Sequence, residues 1–467
     1  MTIVRSVALF AGRATGFMSR RLGLGGGTTL PGVVAQTIDR QLVPSICTRL
    51  NRGVLLVTGT NGKTTTARML AQILQKVGWH PIHNRAGANL VEGIATALLY
   101  ASDLQGRPAG DSGLFEVDEA HLPRAVSLCQ PRLVLLHNLF RDQLDRYGEV
   151  DYVIGRWGKA LRTLPPTAAV VLNADDPAVA DLGSDLDAKT LYYGVDVPTL
   201  GRREPDHTAD AQFCRRCGFP YTYAPAYYGH IGRYRCSQCG HARPQPDVYL
   251  TALDLKKTTG SYGHLVTPVG EYDIALPLPG LYNAYNALAA ITAALALLIE
   301  PPRVLSSLAT FQAAFGRLER VQAEGREILL ALIKNPVGAG QVLDMLNRQA
   351  EVPHSILRPY MVVINDRIAD GKDVSWLWDA NFEMMAGRVG FAVVSGTRAQ
   401  DMALRLKYAG IEENRILTEP NLANALDLAL SNTEVGDTLY LLPTYTAMLE
   451  VRALMARRGY TPPFWED

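Results

Sequence analysis

No stretch of the 467-residue chain is apolar for long enough to cross a bilayer: the longest run, Ala287–Ile299, falls short of the ~20 residues that a spanning helix needs. The first residues, MTIVRSVALFAGRATGFMSRRLG, hold a brief apolar stretch, but Arg5 and Arg13 break it and no small-residue cleavage site follows. A signal peptide is thereby excluded. An amphipathic helix is expected instead, packed on the next domain or touching a membrane surface through Arg13, Arg20 and Arg21. Excess charge of either sign is also missing: 46 Lys and Arg against 45 Asp and Glu leave +1, no polyelectrolyte surface for nucleic acid or anionic lipid. Cysteine is scarce. Six residues in a chain of cytoplasmic character argue against a disulfide framework, and four of them form two CxxC pairs, which points to metal.

The length fits two or three domains with enough apolar content for a core in each. Gly23–Gly32 (GLGGGTTLPG) predicts a flexible linker, so residues 1–45 read as an N-terminal helix and linker, with the globular part starting at 46. Val54–Thr58 reads as a buried strand, and Thr65–Val77 has helical spacing through Met69, Leu70, Ile73 and Leu74. Further buried strands are predicted at 112–117, 132–136 and 168–172, with helical segments between them. Strands alternating with helices imply an α/β fold around a parallel, doubly wound sheet. From about 205 to 246 the texture turns polar, aromatic and Cys-rich, an insertion after which strand-like residues resume at 248–255 and 263–278. A second α/β unit, Rossmann-like, is expected over 326–467, with strands at 328–332, 361–364, 389–394 and 438–442 and the boundary near Gly325.

Between the first strand and its helix stands Gly59-Thr60-Asn61-Gly62-Lys63-Thr64-Thr65. Glycines there bring backbone N–H groups and a positive helix end around one concavity that suits phosphate. Lys63 is placed to contact the outer phosphates and Thr64 to bind Mg²⁺. The loop is a shortened phosphate loop, and the alternative is a merely structural turn. In the insertion, Cys214-x-x-Cys217 and Cys236-x-x-Cys239 are eighteen residues apart, the spacing of a four-thiolate zinc ribbon. Gly218 and Gly240 close the two knuckles, and four protein ligands make such a zinc structural, not catalytic. Cys47 and Cys129 read as small core residues.

The loop resembles the G-T-x-G-K-T-[ST] signature of the Mur ligase superfamily, and later segments follow in family order over roughly residues 45 to 460. The resemblance implies that Glu116, at the end of the second predicted strand, binds Mg²⁺ together with Thr64. His137–Tyr147 resembles the segment in which a metal-binding His is usual, with Gln143 in its place, a poorer cation ligand. Asn173-Ala174-Asp175-Asp176 matches a loop-shaping element. Gly280–Leu288 resembles G-x-H-N-x-x-N-x-L, which implies that Asn283 hydrogen-bonds adenine; Gly316–Arg320 resembles GR-[MF]-E, which implies that Arg317 reaches the γ-phosphate. Only Asn335-Pro336 survives of the family's next motif. Lys159 does not fall at the spacing of the carbamylated lysine of some members.

The implied chemistry is attack of a substrate carboxylate on the γ-phosphate of ATP, giving an acyl phosphate that a nitrogen nucleophile converts to an amide. Two features point within the superfamily to the MurT branch, the synthetase subunits of lipid II isoglutaminyl synthase. The phosphate loop comes too early for a uridine-nucleotide-binding domain ahead of it, and a ribbon interrupts the central domain. Asn365–Asp379 resembles that branch's N-D-x-x-A-D-G-x-D-x-S-W-x-x-D, which implies that Asp373 completes the Cys-His pair of a class I glutaminase of the GatD type. Read alone, an Asp beside Gly371 is a loop or helix cap. The branch implies amidation of the D-isoglutamate α-carboxylate of lipid II, with ATP, Mg²⁺ and a structural Zn²⁺, in the cytoplasm at the inner face of the membrane and without nucleic acid. The alternatives are an amino-acid-adding ligase like the folylpolyglutamate enzymes, and a zinc-ribbon ATPase that binds nucleic acid through Arg215, Arg216, Arg233, Arg235 and Arg243.

Overall fold

A computed structural model of the chain describes residues 2–21, 29–84, 88–141, 149–205, 209–255, 260–312, 317–348 and 357–462. Helices α1 (Thr2–Arg21), α2 (Leu30–Ile38) and α3 (Leu42–Cys47) precede β1 (Val54–Thr58), α4 (Lys63–Lys76), β2 (Pro81–His83), α5 (Val91–Tyr100), β3 (Ser112–Glu116), α6 (Leu122–Cys129) and β4 (Leu133–Leu136). Then come α7 (Glu149–Leu161), β5 (Ala169–Asn173), α8 (Pro177–Asp181), β6 (Lys189–Val195), the ribbon strands β7 (Tyr221–Tyr228) and β8 (Ile231–Cys236), β9 (Val248–Asp254), β10 (Ser261–Thr267), β11 (Gly270–Leu276), α9 (Leu281–Ala296) and α10 (Pro301–Leu308). The strands outside the ribbon make one nine-stranded sheet in the order β11-β10-β9-β6-β5-β4-β1-β3-β2, parallel from β2 through β9.

Burial on both faces explains why these strands read as unbroken apolar runs. Leu55 and Val57 of β1 point into a core shared with α4 and α9, while Val54 and Leu56 point into one shared with α5, α6 and α7. Each such side chain, fully withdrawn from water, contributes roughly 1.5–3 kcal/mol. The strand-like residues over 263–278 form the antiparallel hairpin β10–β11, turning between Thr267 and Gly270. Its two strands pair in full register across a two-residue turn, which apolar content alone does not mark.

The second unit contains β12 (Arg317–Ala323), β13 (Arg326–Ala331), α11 (Pro336–Arg348), β14 (Arg358–Val363), β15 (Val389–Ser395), α12 (Ala399–Tyr408), β16 (Ile416–Thr418), α13 (Leu422–Asn432), β17 (Thr438–Pro443) and α14 (Tyr445–Arg457). Its six strands run β12-β13-β17-β14-β15-β16, parallel except for β12. Gly325, at φ +74°, lies in the turn of the β12–β13 hairpin, and the second sheet begins at Arg317.

The N-terminal region departs from expectation. Of the expected linker, residues 22–28 lie outside the described residues, but Gly32 sits inside α2 and is buried. A Cβ on Gly32 would come within 2.0 Å of the Glu92 carbonyl oxygen, so its backbone lies directly against α5. The globular part therefore includes α1 to α3. Cys47 and Cys129 are core residues as expected, and the hydrogen bond between their thiols, with burial, pushes the Cys129 thiol well above its ordinary range.

Candidate active site

β1 lies where the chain reverses direction across its sheet: β2 and β3 lie on one side of it, and β4, β5 and β6 on the other. Parallel α/β sheets open a crevice at such a point, beyond the carboxyl ends of the strands. Gly59 to Thr65 occupies it. Gly59 (φ +135°) and Gly62 (φ +92°) hold left-handed backbone that glycine alone adopts freely. They also leave no room for a side chain: a Cβ would lie 2.7 Å from His137 Cβ at Gly59 and 2.3 Å from Asn286 Oδ1 at Gly62.

The segment after β4 clamps the loop. Thr60 N–H donates to the Asn138 carbonyl (2.9 Å), the Thr60 hydroxyl accepts from Phe140 N–H (3.0 Å), and Asn61 N–H donates to Asn138 Oδ1 (2.9 Å). Beneath it, His137 Nε2 lies 2.8 Å from Thr66 Oγ1 and its Nδ1 lies 2.9 Å from the Tyr193 hydroxyl. Burial, with Lys63 nearby, pushes the His137 pKa down to about 3, so the ring is neutral and acts as a rigid spacer. Asn335, buried just before α11, exchanges amide hydrogen bonds with Asn61 and accepts from Gly338 N–H (2.7 Å). The second domain thus touches the tip of the loop.

Lys63 opens α4 and is buried. Its ammonium donates to the Gly59 carbonyl and to Glu119 Oε2 (3.1 Å). Thr64 Oγ1 donates to Glu116 Oε2 at 2.8 Å, which brings the two expected Mg²⁺ ligands together. Asn84 locks Glu116 in place: Glu116 N–H donates to Asn84 Oδ1 (2.9 Å) and Asn84 Nδ2 donates back to the Glu116 carbonyl (2.9 Å). The His83 side chain is buried beside them, its Nε2 3.7 Å from Glu116 Oε1 and without a hydrogen-bond partner. Hydroxyl, carboxylate and an unsatisfied imidazole nitrogen at one point form a donor set that fits a cation. Sequence reasoning missed His83, Asn84 and Glu119, since each meets the loop only through the neighbouring strand.

Other expected residues fall in different surroundings. Asn283 is buried in the first turn of α9, donating to the Pro279 carbonyl (2.8 Å) and accepting from Asn286 Nδ2 (3.1 Å), which links it to the floor of the loop through Asn286. The backbone of Arg317 starts β12, while its side chain and all of Gln143 lie outside the described residues. Asp175 and Asp176 shape structure: Asp176 caps α8 and holds Leu139 N–H, and Asp175 binds Arg243 and the Tyr285 hydroxyl.

Those two acids also anchor the insertion. At its tip, His230 Nε2 meets Asp176 Oδ2 at 3.3 Å, both fully buried, and the His230 ring packs on Phe140 with centroids 4.6 Å apart. The insertion therefore leans on the segment that clamps the Gly59–Thr65 loop. At its other end the sulfurs of Cys214, Cys217, Cys236 and Cys239 all lie within 4.8 Å of one another. Burial opposes ionisation of Cys214, but backbone N–H groups of Arg216 and Cys217 and the Tyr221 hydroxyl bring its pKa down to about 5. Tetrahedral thiolate coordination suits such a cluster. The basic character of the insertion is largely neutralised: Arg215, Arg216, Arg233 and Arg243 pair with Asp151, Asp181, Asp196 and Asp175.

Asp373 stands apart, in the loop after β14. Its Oδ1 accepts from the Ser375 N–H (2.8 Å) and hydroxyl, capping the turn at Ser375–Trp378. Asp366 and Asp370 pin the same loop through Arg398 and Thr446. Ile368 and Trp378 are exposed on it, and Trp378 packs edge-on against exposed Tyr408 at 5.7 Å.

The family model of the Mur ligase middle domain matches residues 57–212, and that of the MurT ligase C-terminal domain matches 332–448. The chain is 35% identical over 459 residues to the Streptococcus pneumoniae lipid II isoglutaminyl synthase (glutamine-hydrolyzing) subunit MurT, covering 98% of both chains. To the MurT subunit of Staphylococcus aureus strain COL it is 32% identical, covering 83% of this chain and 84% of that one. A pseudomurein peptide ligase type C from Methanothermus fervidus has a similar fold, with a TM-score of 0.66 at 22% identity over 87% of this chain and 78% of that one. Similar over most of its length to these MurT subunits, and matched in turn by the Mur ligase middle and MurT C-terminal models, the chain belongs to the MurT family of Mur ligases.

Proposed function

We propose that the chain is the ATP-dependent synthetase subunit of an enzyme that amidates the D-isoglutamate α-carboxylate of lipid II to D-isoglutamine. The observation that carries this is the phosphate loop, with Thr64 Oγ1 in the first turn of α4 lying 2.8 Å from Glu116 Oε2 at the end of β3, the strand parallel to and beside β1. Thr64 and Glu116 would hold Mg²⁺, with His83 next to them, and the ion would supply charge neutralisation on the nucleotide phosphates. The loop N–H groups and the α4 N-terminus bind the phosphates, and Lys63, steadied by Glu119, neutralises the γ-phosphoryl group. Asn283 and Arg317 serve adenine and γ-phosphate.

A carboxylate oxygen of the substrate attacks the γ-phosphorus; the bond to the β-phosphate oxygen breaks and ADP leaves. Ammonia then attacks the acyl carbon of the resulting acyl phosphate, inorganic phosphate leaves, and the nitrogen loses a proton. Ammonia is largely protonated at neutral pH, so a glutaminase subunit that delivers it directly is an advantage. Asp373 would hold the partner's catalytic imidazole in one tautomer, and the exposed Ile368, Trp378 and Tyr408 beside it suit an interface. The four cysteines would hold a structural zinc that fixes the outer end of the ribbon.

The test is ATP-dependent amidation of lipid II with ammonium as donor. Lys63→Ala should lower turnover by roughly 10²–10³-fold while the thermal transition stays close to that of the parent. Retained turnover would remove the phosphate loop from the mechanism.

A further inference from the structure

Amphipathic helices that pack on a domain turn their large apolar side chains inward. Helix α1 does the reverse. Apart from Leu9, its inner face is small or polar: Arg5, Ala8, Gly12, Gly16 and Ser19. Gly12 and Gly16 lie so close to α2 and α5 that a Cβ would stand 2.2 Å from Leu99 Cδ1 and 1.9 Å from the Tyr100 hydroxyl. Polar contacts complete the docking: Arg5 pairs with Asp39 at 3.3 Å and Arg13 donates to the Leu99 carbonyl at 3.1 Å. The helix is thus held firmly by its small face.

Its outer face carries Ile3, Val7, Phe10, Phe17 and Met18, which at 100° per residue fall on one stripe that ends at exposed Arg21. Ile3 is 80% exposed, Phe10 66%, and Phe17 and Met18 59% each. Helix α2, packed beside α1, exposes Leu30 and Val33 as well. Charge distribution then indicates what covers the stripe. The first acidic residue of the chain is Asp39, so the 38 residues before it hold Arg5, Arg13, Arg20 and Arg21 and no acid, although the chain as a whole is nearly neutral. Aromatic and aliphatic side chains along one face, ending in arginine and free of acids, match the interface of an anionic bilayer, where such a helix lies in plane.

We infer that α1 is a membrane-surface anchor, seating the protein on an anionic lipid bilayer through Ile3, Val7, Phe10, Phe17 and Met18. This gives a lipid-linked substrate a fixed approach to the phosphate loop, and to that extent it rests on the function proposed above.

The experiment is vesicle flotation of the full chain, alone and with its glutaminase subunit, on phosphatidylcholine vesicles with and without about 30% phosphatidylglycerol. The vesicles contain no lipid II. The chain should float with anionic vesicles, and Phe10→Asp with Phe17→Asp should reduce the bound fraction by roughly tenfold or more, with an unchanged thermal transition. Arg21→Glu should weaken binding to anionic vesicles only. No flotation in either form overturns the inference, as does flotation that the double variant retains. A solution dimer that the double variant dissociates also overturns it, since a second copy would then cover the stripe. A chain that floats but amidates nothing breaks the functional reading alone; one that amidates but never floats breaks this one alone.

Discussion

The carboxyl ends of β1 and β14 occupy equivalent places in their two sheets, each beside the point where strand order reverses. After β1 the chain makes a buried loop whose polar groups are matched within the fold, from Asn138 above, His137 and Thr66 below, and Asn335 at the tip. After β14 the chain makes a loop pinned at its base by Asp366 and Asp370 but exposed at Ile368 and Trp378. One topological position thus supports two kinds of site. The first is preorganised for a small charged ligand, which needs aligned donors in a dry crevice. The second holds a half-buried carboxylate, Asp373, bonded to Ser375, with apolar Ile368 and Trp378 exposed on the same loop; exposed apolar surface is what a macromolecular partner would cover.

The largest effect that separates the two loops should come from Asp373→Asn. Glutamine-driven amidation should fall by roughly 10²–10⁴-fold while ammonium-driven amidation is kept, whereas Lys63→Ala lowers both. Equal loss in both assays for Asp373→Asn would erase the distinction. Next in size, Cys217→Ser should lower bound zinc measured by elemental analysis and reduce Tm by roughly 5 °C or more. An unchanged Tm in a zinc-free, active protein would remove the ribbon from the support of the first loop.

The smallest effect concerns the pH dependence of that support. Burial raises and the neighbouring His230 lowers the pKa of Asp176, with a net decrease; burial lowers and Asp176 raises that of His230, with a net increase. The lowered Asp176 contributes stability above its ordinary 3.8 that is lost as pH falls through its folded value. The raised His230 contributes stability below its ordinary 6.5 that is lost as pH rises through its folded value. The Tm advantage of the parent over His230→Gln should therefore be greatest between those ordinary values and shrink as pH rises beyond them. An advantage that stays flat on the alkaline side would mean that the pair is held by packing, not by charge.

What was readable in advance was local. Strand, glycine turn and helix follow one another within a few residues at Val54 to Lys76, so periodicity and turn chemistry identify them without knowledge of the rest. The CxxC knuckles are local too. His83, Glu119 and Asn335 were not found as site residues because each reaches the loop across strands or from another domain. The inward-facing glycines of α1 were hidden for the same reason: their meaning depends on α2 and α5 lying against them.

The sequence by itself determined the glycine loop between strand and helix, the two α/β units and the four-cysteine insertion, because each is written in residues that lie close together along the chain. Only the tertiary structure decided that His83 lies beside Thr64 and Glu116, that the tip of the insertion rests on the clamp of the loop, and which face of α1 points outward. Those depend on long-range packing, where contact follows from how sheets and helices stack and not from the order of residues.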